Sequence, residues 1–185
     1  MCGRYSLEPW DSAEVEKIIQ EVQDKIKTGE IYPTNIVPVL TGPDKVEAVK
    51  WGFPGFKGNQ TIINARAETA ADKRIFSKPL MEKRCVIPST GFFEWQDVGA
   101  KKKQKYKFNL PGQTALYLAG LYNDFQGERR VVILTTGANA SMQEVHNRMP
   151  VVLSKDEVSA WIEDGNQTSD LLSRVPPDLS REAVQ

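Results

Sequence analysis

The sequence predicts an α+β domain whose mostly antiparallel β-sheets close into a barrel-like core with peripheral helices. Three observations carry that prediction. Eight short β-rich runs fall between residues 36 and 138, turn residues separate most of them, and helical periodicity is confined to one stretch before the runs, one among them and one after. The 185 residues, 40% of them hydrophobic, suffice for one core that buries roughly 70% of the unfolded surface.

The first helix is placed after Asp11, which can cap it together with Glu14 three residues on. Val15, Ile18, Ile19, Val22 and Ile26 then share one face before Gly29 ends the stretch. Strands are expected over 36–40, 46–51, 61–65, 85–88, 92–96, 106–110, 115–121 and 131–136, with turns such as Gly42-Pro43-Asp44 between them. A helix over about 71–82 interrupts this series, and Ser154 with Glu157 forms a capping signature for another that runs through Trp161. Prolines 176 and 177 prevent helix continuation, which suggests a single domain over 1–175 and a loose tail over 176–185.

Composition narrows the chemistry. Twenty-four basic and 24 acidic side chains cancel, so bulk attraction to nucleic acid is not expected. The balance is regional, however: residues 45–110 carry 14 Lys or Arg against 6 Asp or Glu, while residues 150–185 carry 3 against 7. One histidine and two cysteines, with no Cys-x-x-Cys or His-x-x-x-His pair, argue against a metal centre and a disulfide framework. Neither a secretory signal nor about 18 consecutive apolar residues is present, so the chain reads as soluble and intracellular with reduced thiols.

Chemistry can sit at a few positions. Removal of Met1 leaves Cys2 with an α-amine, titrating near ~7.7–8.0, and a thiol, near ~8.5, on adjacent carbons. That pair suits aldehyde capture: the amine condenses to a Schiff base and the thiol closes a five-membered thiazolidine. The alternative is a cysteine that merely tolerates position 2. Asn64 interrupts a β-rich run with a donor and an acceptor that could orient an amine or a sugar hydroxyl, or could serve a bulge. Glu94 lies among Phe92, Phe93 and Trp95, a setting that raises a carboxyl pKa if the side chain faces inward and leaves an ordinary surface acid if it faces out. His146 is the sole histidine, and a lone histidine is more often structural than catalytic. Arg4, Arg66 and Arg148 lie near these segments with guanidinium forks suited to phosphate. Trp51, before Gly52, either stacks on a nucleobase or packs in the core. The lysines at 101–103, 105 and 107 read as a solvated hairpin adding non-specific phosphate attraction.

These segments occur together and in order: Cys2-Gly3-Arg4-Tyr5; Asn64-Ala65-Arg66-Ala67-Glu68-Thr69; Arg84-Cys85-Val86-Ile87-Pro88 leading to Gly91-Phe92-Phe93-Glu94-Trp95; and Thr135-Thr136-Gly137-Ala138-Asn139 with His146-Asn147-Arg148-Met149-Pro150-Val151. In that order and spacing the chain resembles the SOS response-associated peptidase (SRAP) family, which includes abasic-site shielding proteins of bacteria and animals. The resemblance runs from Cys2 to about Trp161 and implies binding of single-stranded DNA at an abasic site, with covalent capture by Cys2. It assigns Asn64 to positioning, Glu94 to proton transfer, His146 to acid–base chemistry and reversal, Arg4, Arg66 and Arg148 to phosphates, Trp51 to a base, and Thr135 to the pocket. It further implies a monomer without cofactor, metal or membrane, in the cytoplasm of a bacterial or phage setting and on the nucleoid when bound to damage. Two positions depart from the family pattern: Asn147 stands where aspartate often follows the histidine, and Ser77 where arginine often follows the phenylalanine.

Other functions remain compatible with parts of the pattern. A thiol peptidase or autopeptidase could use Cys2 with His146 and Glu94. Glutamine amidotransferases also begin Met-Cys-Gly but need a longer domain, and a passive DNA-binding module leaves Glu94 and His146 without a role.

Overall fold

The computed structural model describes residues 2–55, 60–99 and 102–184. In chain order its elements are β1 (Tyr5–Leu7), α1 (Ala13–Ile19), β2 (Gly29–Ile31), β3 (Ile36–Gly42), β4 (Lys45–Trp51), β5 (Phe53–Pro54), β6 (Thr61–Ile62), β7 (Asn64–Arg66) and α2 (Arg74–Glu82). There follow β8 (Arg84–Ser89), β9 (Gly91–Gln96), β10 (Gln104–Asn109), β11 (Leu116–Phe125), β12 (Glu128–Gly137), β13 (Arg148–Pro150), β14 (Val152–Leu153), α3 (Glu157–Glu163), α4 (Thr168–Ser173) and β15 (Ser180–Val184).

The expected barrel is present and closed. Its ring runs β12-β4-β3-β8-β11 and returns to β12, so five strands leave no free edge among themselves. All junctions are antiparallel except β12 with β4, which pair in parallel through Arg130↔Lys50 and Val131↔Trp51. The β11–β12 hairpin is tied by Gln126-Gly127, both at positive φ, the backbone that a tight hairpin turn requires. At Gly120 on β11 an added Cβ would lie 2.9 Å from Val132 O and 2.4 Å from Ile87 Cδ1, so glycine permits the close approach there.

β12 is longer than the barrel needs, and its remainder recruits other elements. Beyond the β4 contact it takes β7 in parallel, through Ile133↔Asn64 and Thr135↔Arg66, and then β13 in antiparallel fashion, through Thr135↔Pro150 and Gly137↔Arg148. A second sheet, ordered β15-β10-β9-β1-β2, brings the start of the chain alongside β9. The tail expected to be loose therefore ends in order: Ser180–Val184 pairs with β10 from Ser180↔Asn109 to Val184↔Lys105. Alternating Arg181 and Glu182 hid this strand, because an edge strand with few apolar residues lacks a period-2 signal.

The first helix also differs from expectation. Asp11 closes a 3-10 turn at Pro9–Asp11, which leaves Ser12 as the cap accepting from Val15 N at 3.3 Å. The helix stops at Ile19; in the turns that follow Val22 is buried and Ile26 packs against the core. Half of the Ser154 and Glu157 signature forms, with Ser154 N donating to Glu157 Oε2 at 2.7 Å, while α3 starts at Glu157 behind Asp156 and no side chain among the described residues caps its first N–H groups. No helix among the described residues is long and apolar enough to cross a membrane.

Arg84 joins the helices to the barrel. Its buried guanidinium donates to Leu80 O and Met81 O at the end of α2 and to Trp161 O and Ile162 O at the end of α3. A cation there satisfies unpaired carbonyls and complements two negative helix ends. Arg84→Met is expected to lower the unfolding free energy by about 3 kcal/mol, since the carbonyls lose a charged donor while buried. Chemical denaturation measures this, and a change below about 1 kcal/mol would contradict the assignment.

Candidate active site

The site begins where the chain begins. Phe93 N donates to Arg4 O at 2.9 Å, and Tyr5 pairs with Phe92, so the first residues are drawn along β9. Tyr5 packs its ring on Trp51 with centroids 5.4 Å apart, and Cys2 is fully buried. Asn64, carried on β7, donates from Nδ2 to Cys2 O at 3.2 Å and to Ile133 O at 3.4 Å. Its Oδ1 is buried without a hydrogen-bond partner among the described residues, which leaves an acceptor available beside Cys2.

Glu94 projects inward from β9 and is 5% exposed, which settles its orientation among the three aromatics. Burial raises its pKa, and the neighbouring His146 charge opposes that rise. His146 Nδ1 accepts the Arg148 backbone N–H at 3.0 Å, so in the neutral ring the proton sits on Nε2. The chain thus brings Cys2, Asn64, Glu94 and His146 into one neighbourhood: Asn64 touches Cys2, the Glu94 charge acts on the Cys2 thiol, and His146 acts on Glu94.

The thiol itself differs from the sequence expectation. Burial first, and the Glu94 charge second, push the Cys2 thiol far above the ordinary range, so it is neutral at physiological pH in this state. The Tyr5 hydroxyl is buried in the same surroundings, and burial holds its phenol protonated. Cys85 is buried in β8, within the strand expected over 85–88.

The cationic residues divide. Arg66 is exposed and forms no ion pair with a described residue. Arg4 bonds Glu30 at 3.1 Å and lies between the rings of Tyr32 and Trp95, at 4.3 and 4.8 Å from their centroids. Arg148 is held by Glu68 at 2.6 and 2.9 Å and by Thr135 O at 2.7 Å. Thr135 is consequently a support for Arg148, buried in the β12 ladder, and not an open wall of the pocket. Trp51 is corrected more firmly: it is 1% exposed, with Nε1 bonded to Ile63 O at 3.0 Å, and offers no face to a base. The parallel pairing of β4 with β12 places its ring in the core against Tyr5. Asn147 is exposed, with its carbonyl receiving Ala138 N, and Ser77 lies on α2. Of the lysine tract, Lys101 lies outside the described residues, while Lys102 and Lys103 are exposed beside β10. Sequence reasoning gave no role to Glu68, Glu30 or Tyr32; the place of Glu68 two residues after Arg66 was the available signal for the first.

The raised Glu94 pKa has a thermodynamic sign. An unfolded Glu titrates near ~4.3, so above that pH and below the folded value the fold retains a proton that the unfolded chain has lost. Stability therefore falls as pH rises through that window. Glu94→Gln is expected to unfold at a higher temperature than the wild type at about pH 8, with the gap closing toward about pH 4. A wild type more stable than the variant at the higher pH would contradict the burial argument.

The family model for "SOS response associated peptidase (SRAP)" matches residues 1–184. The chain is 32% identical over 193 aligned positions to the abasic site processing protein YoqW of Bacillus subtilis, covering 93% of this chain and 84% of that one. It is 29% identical to the abasic site processing protein YedK of Escherichia coli, covering 88% of this chain and 79% of that one. A crystal structure of a Bacteroides thetaiotaomicron protein shares the fold, with a TM-score of 0.80, 24% identity and coverage of 100% of this chain and 92% of that one. With the family model spanning nearly every residue, the chain belongs to the SOS response associated peptidase (SRAP) family.

Proposed function

We propose that this protein binds single-stranded DNA at an abasic site and, once Met1 is removed, links to it covalently through Cys2. The observation that carries the reading is the Asn64 amide bonded to the Cys2 carbonyl, with its own oxygen unpaired among the described residues and Glu94 alongside. A hydrogen bond to the backbone of Cys2 fixes the direction of its α-amine, the group that must meet an aldehyde. The relatives' printed names, abasic site processing proteins, support the substrate class.

In the proposed sequence the α-amine nitrogen adds to C1′ of the ring-opened deoxyribose. The carbinolamine loses water to give a Schiff base, with Glu94 supplying the proton that leaves with the hydroxyl. Cys2 Sγ then adds to the same carbon while the thiol proton passes to the nitrogen, closing the thiazolidine. One water is released overall. A carboxyl whose pKa is raised by burial holds its proton more tightly than an exposed one and can return it, and it provides the base that a neutral, buried thiol needs. His146, oriented by the Arg148 N–H that its Nδ1 accepts, serves the acid–base steps of the sugar oxygen and of reversal. Arg66, Arg148 and Arg4 contact flanking phosphates. Peptidase chemistry enters this proposal only as the removal of Met1.

Incubation with a single-stranded oligonucleotide carrying one abasic site tests the proposal on a denaturing gel. The wild type should give a heat-stable adduct on the peptide that starts at Cys2, and an intact strand should give none. Cys2→Ala should lose the stable adduct while retaining only transient Schiff-base chemistry and strand cleavage. A stable adduct formed equally well by Cys2→Ala would sink the assignment.

A further inference from the structure

Arg148 presents its guanidinium in a fork that two Glu68 oxygens fill, Nη1 to Oε1 at 2.6 Å and Nη2 to Oε2 at 2.9 Å. The same fork fits two oxygens of a phosphodiester. The two partners are held unequally. Arg148 stands in β13, its side chain is 15% exposed, and Thr135 O fixes Nη2 from the other side at 2.7 Å, so the guanidinium keeps its place without Glu68. Glu68 is 49% exposed and sits on a single 3-10 turn at Ala67–Thr69, outside any strand ladder. It borders an open cavity of about 550 Å³, so no packed side chain among the described residues encloses it on that side. Arg148 Nε is buried with no partner among the described residues, leaving a further donor at the same group.

We infer that Glu68 is a specificity-determining residue of the DNA interface, an internal anion that occupies Arg148 until a backbone phosphate displaces it. The inference rests on the DNA-binding reading above and deepens it. Exchange of one anion for another leaves the charge at Arg148 unchanged, so the contact yields little net attraction for any passing strand. An exposed ion pair is weak enough to be exchanged when a strand is otherwise held. The residue acts through Arg148 and takes no part in the chemistry at C1′. Undamaged DNA, which has no covalent bond to Cys2, is thereby released, while an abasic strand is retained.

The test is fluorescence anisotropy with an unmodified single-stranded oligonucleotide across a range of NaCl concentrations. Glu68→Gln and Glu68→Ala should each bind roughly 2- to 5-fold tighter than the wild type, the scale of one exposed ion pair. Their log–log salt slopes should be steeper by about 0.7, one newly neutralised phosphate on a single strand. Adding Arg148→Gln should remove both changes. The inference is overturned if neither variant binds tighter, or if the gain survives Arg148→Gln. Adduct formation by the wild type on an abasic strand is scored in parallel. Adduct without tighter binding by the variants removes the Glu68 inference alone. Tighter variants without any adduct remove the crosslinking reading and leave Glu68 guarding plain DNA binding.

Discussion

The hydrogen bond from Asn64 to the Cys2 carbonyl is the contact on which the arrangement of the site depends. It ties the first residues of the chain to a strand 62 positions later, and it does so only because β12 outgrows the barrel. One end of β12 closes the ring against β4 and β11, and the other holds β7 and β13. Asn64, Thr135 and Arg148 are therefore neighbours through a single ladder. The second sheet contributes Glu94 from β9 and, by pairing β9 with β1, delivers Cys2 to the same place.

That delivery has an electrostatic consequence. Drawing Cys2 and Glu94 out of water favours the neutral form of each, so the fold holds a thiol and a carboxyl in their protonated tendencies side by side. The aldehyde chemistry proposed here needs protons moved between nitrogen, oxygen and sulfur on one carbon, and groups with raised pKa values are suited to that exchange. Buried atoms without a hydrogen-bond partner among the described residues, Asn64 Oδ1 and Tyr5 Oη, fit the same pattern, in which such polar groups can serve a ligand. The cationic rim behaves oppositely: Arg4 and Arg148 already have carboxylate partners, Glu30 and Glu68, so their charge is balanced within the fold, as the whole chain's is.

Much of the barrel was legible because its strands are apolar enough to show. Runs such as 85–88 and 131–136 carry a β signal that survives any tertiary context. The hairpin extension of β11 and β12 was not legible, since Asn123, Asp124, Arg129 and Arg130 are stabilised by their cross-strand pairing and not by burial. β1, β13 and β14 span only two or three residues each, too short for periodicity to speak. Asp11 lost its capping place to Ser12 through a 3-10 turn that no local rule exposed. At the site, ordered motifs pointed to Cys2, Asn64, Glu94 and His146, yet whether Glu94 faced inward could be read only from the fold. Trp51 was readable either as a stacking face or as core, and the sequence could not decide because its burial depends on the parallel β4–β12 pairing, a contact made 80 residues away. Glu68 lay inside a quoted motif and acquired a role only when its partner Arg148 was placed opposite it.

The most direct measurement of the central claim is the bonding state of the captured sugar carbon. An abasic strand labelled with carbon-13 at C1′ and incubated with the full-length protein should show, by NMR, a tetrahedral carbon bonded to both nitrogen and sulfur, correlated to the α and β protons of Cys2. A C1′ signal that remains an aldehyde or its cyclic hemiacetal, or an imine carbon attached to a lysine, would contradict the account.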